Sequence, residues 1–166
     1  MADLIFDRTP ADIAEAGRII GKLQNGNVLT ESERVTYFSG LRGRYSYTDL
    51  NRVETKAAEV AALLTEKGYP TTIAVKTDWA PGDKMRRADV TRYLGNIAAI
   101  RRVLPEAMAP PAVPLTRWLD YAAANDIERT LWVVESAIDS IAAYLRRSGT
   151  FTAGGSYAAQ MIRRAT

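Results

Sequence analysis

Asn125-Asp126-Ile127-Glu128-Arg129-Thr130-Leu131-Trp132-Val133-Val134-Glu135-Ser136-Ala137-Ile138-Asp139-Ser140-Ile141-Ala142-Ala143-Tyr144-Leu145 sets the architecture of this chain. Ile127, Leu131, Val134, Ile138, Ile141 and Leu145 step by four and three alternately, which lines one side of a helix with apolar residues. Asn125 reads as its N-cap, a position that favours a short polar side chain. Trp132 stands next to the seam and is expected in the interhelical packing. An apolar stripe of this length has to be buried against other elements, and the rest of the chain supplies them.

Upstream, Thr9-Pro10 is a cap followed by Pro at the first helical position, and Ile13, Ala16, Ile20 and Leu23 recur at helical spacing until Asn25-Gly26-Asn27. Thr30-Glu31-Ser32-Glu33 is a capping box for a short second helix that ends near Gly40. Residues 40–47 read as a loop. Thr48 caps a third helix with Leu50, Val53, Ala57, Val60, Ala61 and Leu64 on one face, closed by Lys67-Gly68. A fourth helix spans about 87–104, with Val90, Leu94, Ile97, Ile100 and Leu104 inward, and Pro105 ends it. Pro110, Pro111 and Pro114 stiffen the connector to the fifth. Residues 71–75 are β-prone, and residues 150–157 suit a small hairpin.

The expected fold is therefore mainly α, a bundle of about five helices with minor short β-strands or a hairpin. Residues 1–157 form the helical domain and residues 158–166 a C-terminal arm, frayed or docked on a neighbour. At 166 residues, 47% hydrophobic and 25% charged, the composition is that of one globular domain. The opening residues 1–8 show no basic leader followed by an apolar run, and no stretch reaches the ~18 apolar residues of a membrane span. A product that is neither secreted by the usual route nor membrane-bound is expected.

The chain has no Cys and no His. That removes disulfides, thiol nucleophiles, Cys or His zinc sites, His-ligated haem and every His-based triad. The formal charge is only +3, and Arg pairs at 86–87, 101–102, 146–147 and 163–164 are scattered along the chain. A nucleic-acid module gathers its cations on one face, so ion pairing within the bundle is the expected use of these residues.

The chemical motifs are weak. Gly17-Arg18-Ile19-Ile20-Gly21-Lys22 falls one residue short of a phosphate loop, lacks the following Ser or Thr, and sits inside a helix. Residues 78–83 have too few alternating oxygen ligands for a calcium loop. Glu128, Glu135 and Asp139 form an acidic stripe that a glycosidase could use. The simpler expectation pairs them with Arg52, Lys56, Arg101 or Arg102 of a neighbouring helix. Asp-aliphatic-x-Arg occurs at 49–52, 89–92 and 126–129, and is read as start-of-helix chemistry rather than as a duplication. No catalytic residue, cofactor site or metal site is assigned. The candidate partner-contact residues are Arg42, Arg44, Tyr45 and Tyr47 in the loop, Trp79 in a turn and Trp118 in the connector.

Six ordered blocks carry a resemblance. They are Asp7-Arg8-Thr9-x-Ala11-Asp12, Ser39-Gly40-Leu41-Arg42-Gly43, Tyr47-Thr48-Asp49-Leu50-Asn51-Arg52-Val53-Glu54, Lys76-Thr77-Asp78-Trp79, Tyr93-Leu94-x-Asn96-Ile97-x-x-Ile100-Arg101 and Asn125-Asp126-Ile127-Glu128. In this order the chain resembles small structural proteins encoded in the tail or tail-fibre region of phages and prophages of Gram-positive bacteria. The resemblance runs over residues 4–157, and 158–166 depart from it. It implies a non-enzymatic virion component near the baseplate or receptor-binding apparatus, resident in the host cytoplasm during assembly. The implied partners are other tail, baseplate or fibre proteins and further copies of the chain, a trimer being favoured. A carbohydrate-binding module that uses Trp79, Trp118 and the loop tyrosines on a host surface glycan is the alternative. Nucleic-acid binding ranks below both.

Overall fold

The computed structural model describes residues 4–113 and 119–148, without the side chains of 141–148. Five helices follow one another: α1 (Pro10–Gln24), α2 (Glu31–Ser39), α3 (Tyr47–Glu66), α4 (Arg87–Arg101) and α5 (Tyr121–Ser148). Two compact units divide the chain, Met1–Glu135 and Ser136–Thr166, with the division inside α5. Everything below concerns the first. The expected hairpin at 150–157, the arm at 158–166 and Trp118 lie outside the described residues.

The helix starts share one device. The third helical residue is acidic in α1 to α4, and its carboxylate accepts the N–H of the residue before the helix. The pairs are Thr9 to Asp12 (2.7 Å), Thr30 to Glu33 (2.9 Å), Ser46 to Asp49 (2.9 Å) and Arg86 to Asp89 (3.0 Å). Each bond satisfies an otherwise orphaned donor and places negative charge at the positive helix end. α3 thus begins at Tyr47 with Ser46 as its cap, ahead of the start that a Thr48 cap implies. α5 begins earlier still: Asp120 accepts the Ala123 N–H at 2.8 Å, so Asp120 and not Asn125 stands at its start. Gly68, at φ +87°, lets the chain turn back after α3 while the Tyr69 N–H closes on the Leu64 carbonyl at 2.8 Å.

Val53, Val60 and Leu64 of α3, Leu94, Ile97 and Ile100 of α4, and Ile127, Leu131 and Val134 of α5 fill the core. The short strands expected in the fold are not formed among the described residues. Residues 71–80 are extended, as is the opening segment 4–9, but neither pairs with another strand. Main-chain groups removed from water need partners. Here side chains of the helices supply them, and that substitution explains why β-prone residues 71–75 remain a strap. No helix among the described residues is long and apolar enough to cross a membrane.

Candidate functional site

Two straps lie across the bundle, residues 4–9 and residues 71–80, and asparagines grip both. The Asn125 amide oxygen accepts the Arg8 N–H at 3.1 Å, while its nitrogen donates to the Arg8 carbonyl at 2.9 Å. Asn51 makes the same pair of bonds with Trp79, at 2.8 and 2.9 Å. Asn96 does so with Ala74, at 3.1 and 2.6 Å. A side-chain amide offers the same donor and acceptor as a peptide unit, so each asparagine stands in for a neighbouring strand.

Two of these grips are extended by a glutamate one helical turn on. Glu128 accepts the Ile5 N–H at 2.6 Å and Glu54 accepts the Lys76 N–H at 2.7 Å. In both cases Asn and Glu are three apart on the helix, and the strap residues they hold are three apart in the extended segment. The residue after the gripped one is also tied alike: the Thr9 N–H binds Asp12 and the Ala80 N–H binds Asp83, at 2.7 and 3.0 Å. Tyr47-x-x-x-Asn51-x-Val53-Glu54 matches Tyr121-x-x-x-Asn125-x-Ile127-Glu128, and Asp7-Arg8-Thr9-Pro10-Ala11-Asp12 matches Asp78-Trp79-Ala80-Pro81-Gly82-Asp83. Sequence reasoning missed this pair of repeats, although both were there to be aligned. The Asp-aliphatic-x-Arg repeat does not carry it. Arg52 does bind Asp49, but Arg92 turns to Glu54 and Arg129 lies over the Phe6 ring.

The gripping glutamates are fully buried and ionic. Glu128 receives two bonds from Arg52, the longer 3.0 Å, and Arg8 approaches it at 2.9 Å. Arg8, itself 4% exposed, reaches Asp49 at 3.3 Å and donates to the Arg42 carbonyl at 3.2 Å. Glu54 takes two bonds from Arg92 and one from the Trp79 indole N–H at 3.0 Å. Lys56 is buried against Glu135 at 2.6 Å. Arg52 and Lys56 are therefore the partners of Glu128 and Glu135, two of the three residues of the acidic stripe, as expected for a structural role. Burial alone would lower the pKa of Arg52 and Lys56, but the bonds to Glu128 and Asp49 and to Glu135 outweigh it and hold both cations above their ordinary pKa. Among the described residues no buried side-chain nitrogen or oxygen lacks a hydrogen-bond partner, and no three acidic groups are placed to hold a metal ion.

Of the candidate contact residues, Tyr45, Tyr47 and Trp79 share the lining of one cavity of about 350 Å³, and Arg42 lines a different one. Trp79 is 4% exposed, its indole held by Glu54 and its face covered by the Lys76 ammonium at 3.9 Å. It is a core residue, with only a small part of its surface left to the cavity. Tyr45 is half-buried: its hydroxyl meets that of Tyr93 at 2.5 Å, and Arg8 lies over its ring at 5.3 Å. Burial raises both phenol pKa values above the ordinary range. Arg42 is exposed and paired with Asp7, Arg44 is exposed, and Tyr47 is 39% exposed at the start of α3. Trp132 is half-exposed instead of packed in the seam, with its ring 5.7 Å from that of Phe6.

What the sequence did not mark is the outer side of α2. Phe38 is 82% exposed, Val28 before the helix 80% and Val35 59%. Val35, Ser39, Gly40, Leu41 and Arg42 share the rim of a shallow depression of about 250 Å³ with Asp12 of α1. Gly43 closes that depression because only glycine fits there: a Cβ would lie 2.0 Å from the Asp12 carbonyl oxygen. No protein-family model, no curated protein and no solved structure matches the chain.

Proposed function

We propose that this chain is a non-enzymatic structural protein of a phage or prophage tail, an adaptor between neighbouring components near the baseplate or receptor-binding apparatus. The blocks that resemble tail-region proteins support it by where their side chains go. Arg8, Asp49, Asn51, Arg52, Glu54, Asn96, Asn125 and Glu128 bind one another or the straps, so their work is to fix one shape. The observation that carries the contact role is the outer side of α2, where Val28, Val35 and Phe38 stand in solvent beside the exposed Arg42. Covering one such side chain is worth roughly 1.5–3 kcal/mol, a reason for a neighbour to settle there. The proposed neighbours are other tail proteins and further copies of the chain, arranged as a trimer, in the virion and beforehand in the host cytoplasm.

Immunogold labelling of particles released by a strain carrying the gene tests this reading. Label at the tail supports it. A chain abundant in the cells yet missing from purified particles overturns it. Light scattering tests the assembly: a strict monomer that co-purifies with no tail protein contradicts the adaptor role.

A further inference from the structure

The six residues Asp49-Leu50-Asn51-Arg52-Val53-Glu54 serve both straps at once. Asn51 and Glu54, three apart, hold Trp79 and Lys76 of the second strap. Asp49 and Arg52, also three apart, are turned to the first: Asp49 meets Arg8 at 3.3 Å, and Arg52 lays its bonds on Glu128, which holds the Ile5 N–H. Arg52 and Asp49 are joined to each other at 2.9 Å, and the two pairs interleave along the same stretch of α3. Each clasp also belongs to the other half of the repeat. The Tyr47 copy holds the Asp78 strap, and the Tyr121 copy holds the Asp7 strap.

We propose that this turn of α3 is a coupling device, so that release of one strap loosens the other. When residues 4–9 leave, Arg8 withdraws from Glu128 and from Asp49. Arg52 is then the remaining cation between these two carboxylates and re-aims toward them. It is the immediate neighbour of Asn51 and two residues from Glu54, so that adjustment disturbs the grip on Lys76 and Trp79. Reciprocity is required of any such linkage: release of the second strap must weaken the first by the same factor. The inference stands on the clasp geometry and is independent of the tail assignment.

Amide-resolved hydrogen exchange on the full chain tests it. Asn125→Ala removes the grip on Arg8 and directly speeds exchange at Ile5 and Arg8. The coupling predicts that Lys76 and Trp79, which do not touch Asn125, also exchange faster, by about tenfold, a usual size for coupled neighbouring residues. Placing Asn125→Ala in an Arg52→Lys background removes most of that remote effect. Asn51→Ala gives the converse measurement at Ile5 and Arg8, and serves if Asn125→Ala does not fold. Wild-type rates at Lys76 and Trp79 in Asn125→Ala overturn the proposal. An equal acceleration at Ile97 and Ile100 of α4 also overturns it, because it marks general loosening of the fold.

Discussion

α3 buries Glu54 and Lys56 alongside its aliphatic residues, whereas α2 buries Glu33 alone and holds Val35 and Phe38 in solvent. In one region ions lie inside, each matched by named partners. In the other, apolar side chains lie outside with nothing over them. Burying a charge is tolerable only with an opposite charge and hydrogen bonds to its remaining lone pairs. Among the described residues Glu54 and Lys56 each have an opposite charge, and no buried side-chain nitrogen or oxygen lacks a hydrogen-bond partner. Such a region specifies one arrangement, since any shift leaves an ion unpaired. The α2 region specifies little internally. It is tied to α1 by Glu33, which takes Lys22 at 2.7 Å and Arg18, and its surface is open to a neighbour.

The sharpest way to break this contrast is to remove a buried charge. Glu128→Ala leaves Arg8 and Arg52 with Asp49 as their shared carboxylate, frees the Ile5 N–H, and should cost about 3–5 kcal/mol in urea denaturation. A cost close to that of an exposed substitution would mean that the ionic interior is not what holds the straps. Next in size is Gly43→Ala, which forces the loop off the Asp12 carbonyl, at about 1–3 kcal/mol by the same assay. An unchanged midpoint would show that the loop and α1 are not in contact in solution.

Acid sharpens the α2 side. Bonds from Lys22, from the Thr30 N–H and from Arg18 lower the Glu33 pKa from 4.5 to about 2. A carboxyl lowered in the fold stabilises it above the unfolded value, and that contribution fades as pH falls toward the folded one. The Glu33 carboxyl resonance should therefore titrate near 2, with the α1–α2 link weakening between pH 4.5 and 2. A midpoint near 4.5 would dissolve the link. The smallest effect on stability is expected from Phe38→Ser, within about 0.5 kcal/mol as for other exposed positions. The same variant should nonetheless reduce self-association or capture of a tail partner in light scattering. Unaltered association would move the contact surface away from α2.

Local chemistry made the helices legible. Thr9-Pro10 and Thr30 with Glu33 mark the starts of α1 and α2 within the chain itself, and the seam from Ile127 to Val134 shows in α5 because burial follows period. Asn125 misled for a physical reason: the side chain that suits an N-cap is also one that can bind a peptide unit, and the strap it binds is over a hundred residues away. Trp79 misled likewise. A Trp in a turn between Pro81 and a β-prone run looks exposed until Glu54, from another helix, supplies a partner for its indole. Residues 71–75 have strand chemistry and do lie extended, but whether a strand or an asparagine meets them is a tertiary fact. The exposure of Val35 and Phe38 left no trace in the pattern, since α2 is too short for a period to reveal which side is covered.

The asparagine grips fall on the main chain, and they ask nothing of the outward side chains of the second strap. Thr72, Ala74, Val75, Thr77 and Asp78 are exposed while the segment that bears them is held in place. Such a segment can take other outward side chains without losing its seat. A scaffold of this kind separates the residues that fix its shape from those that only colour its surface.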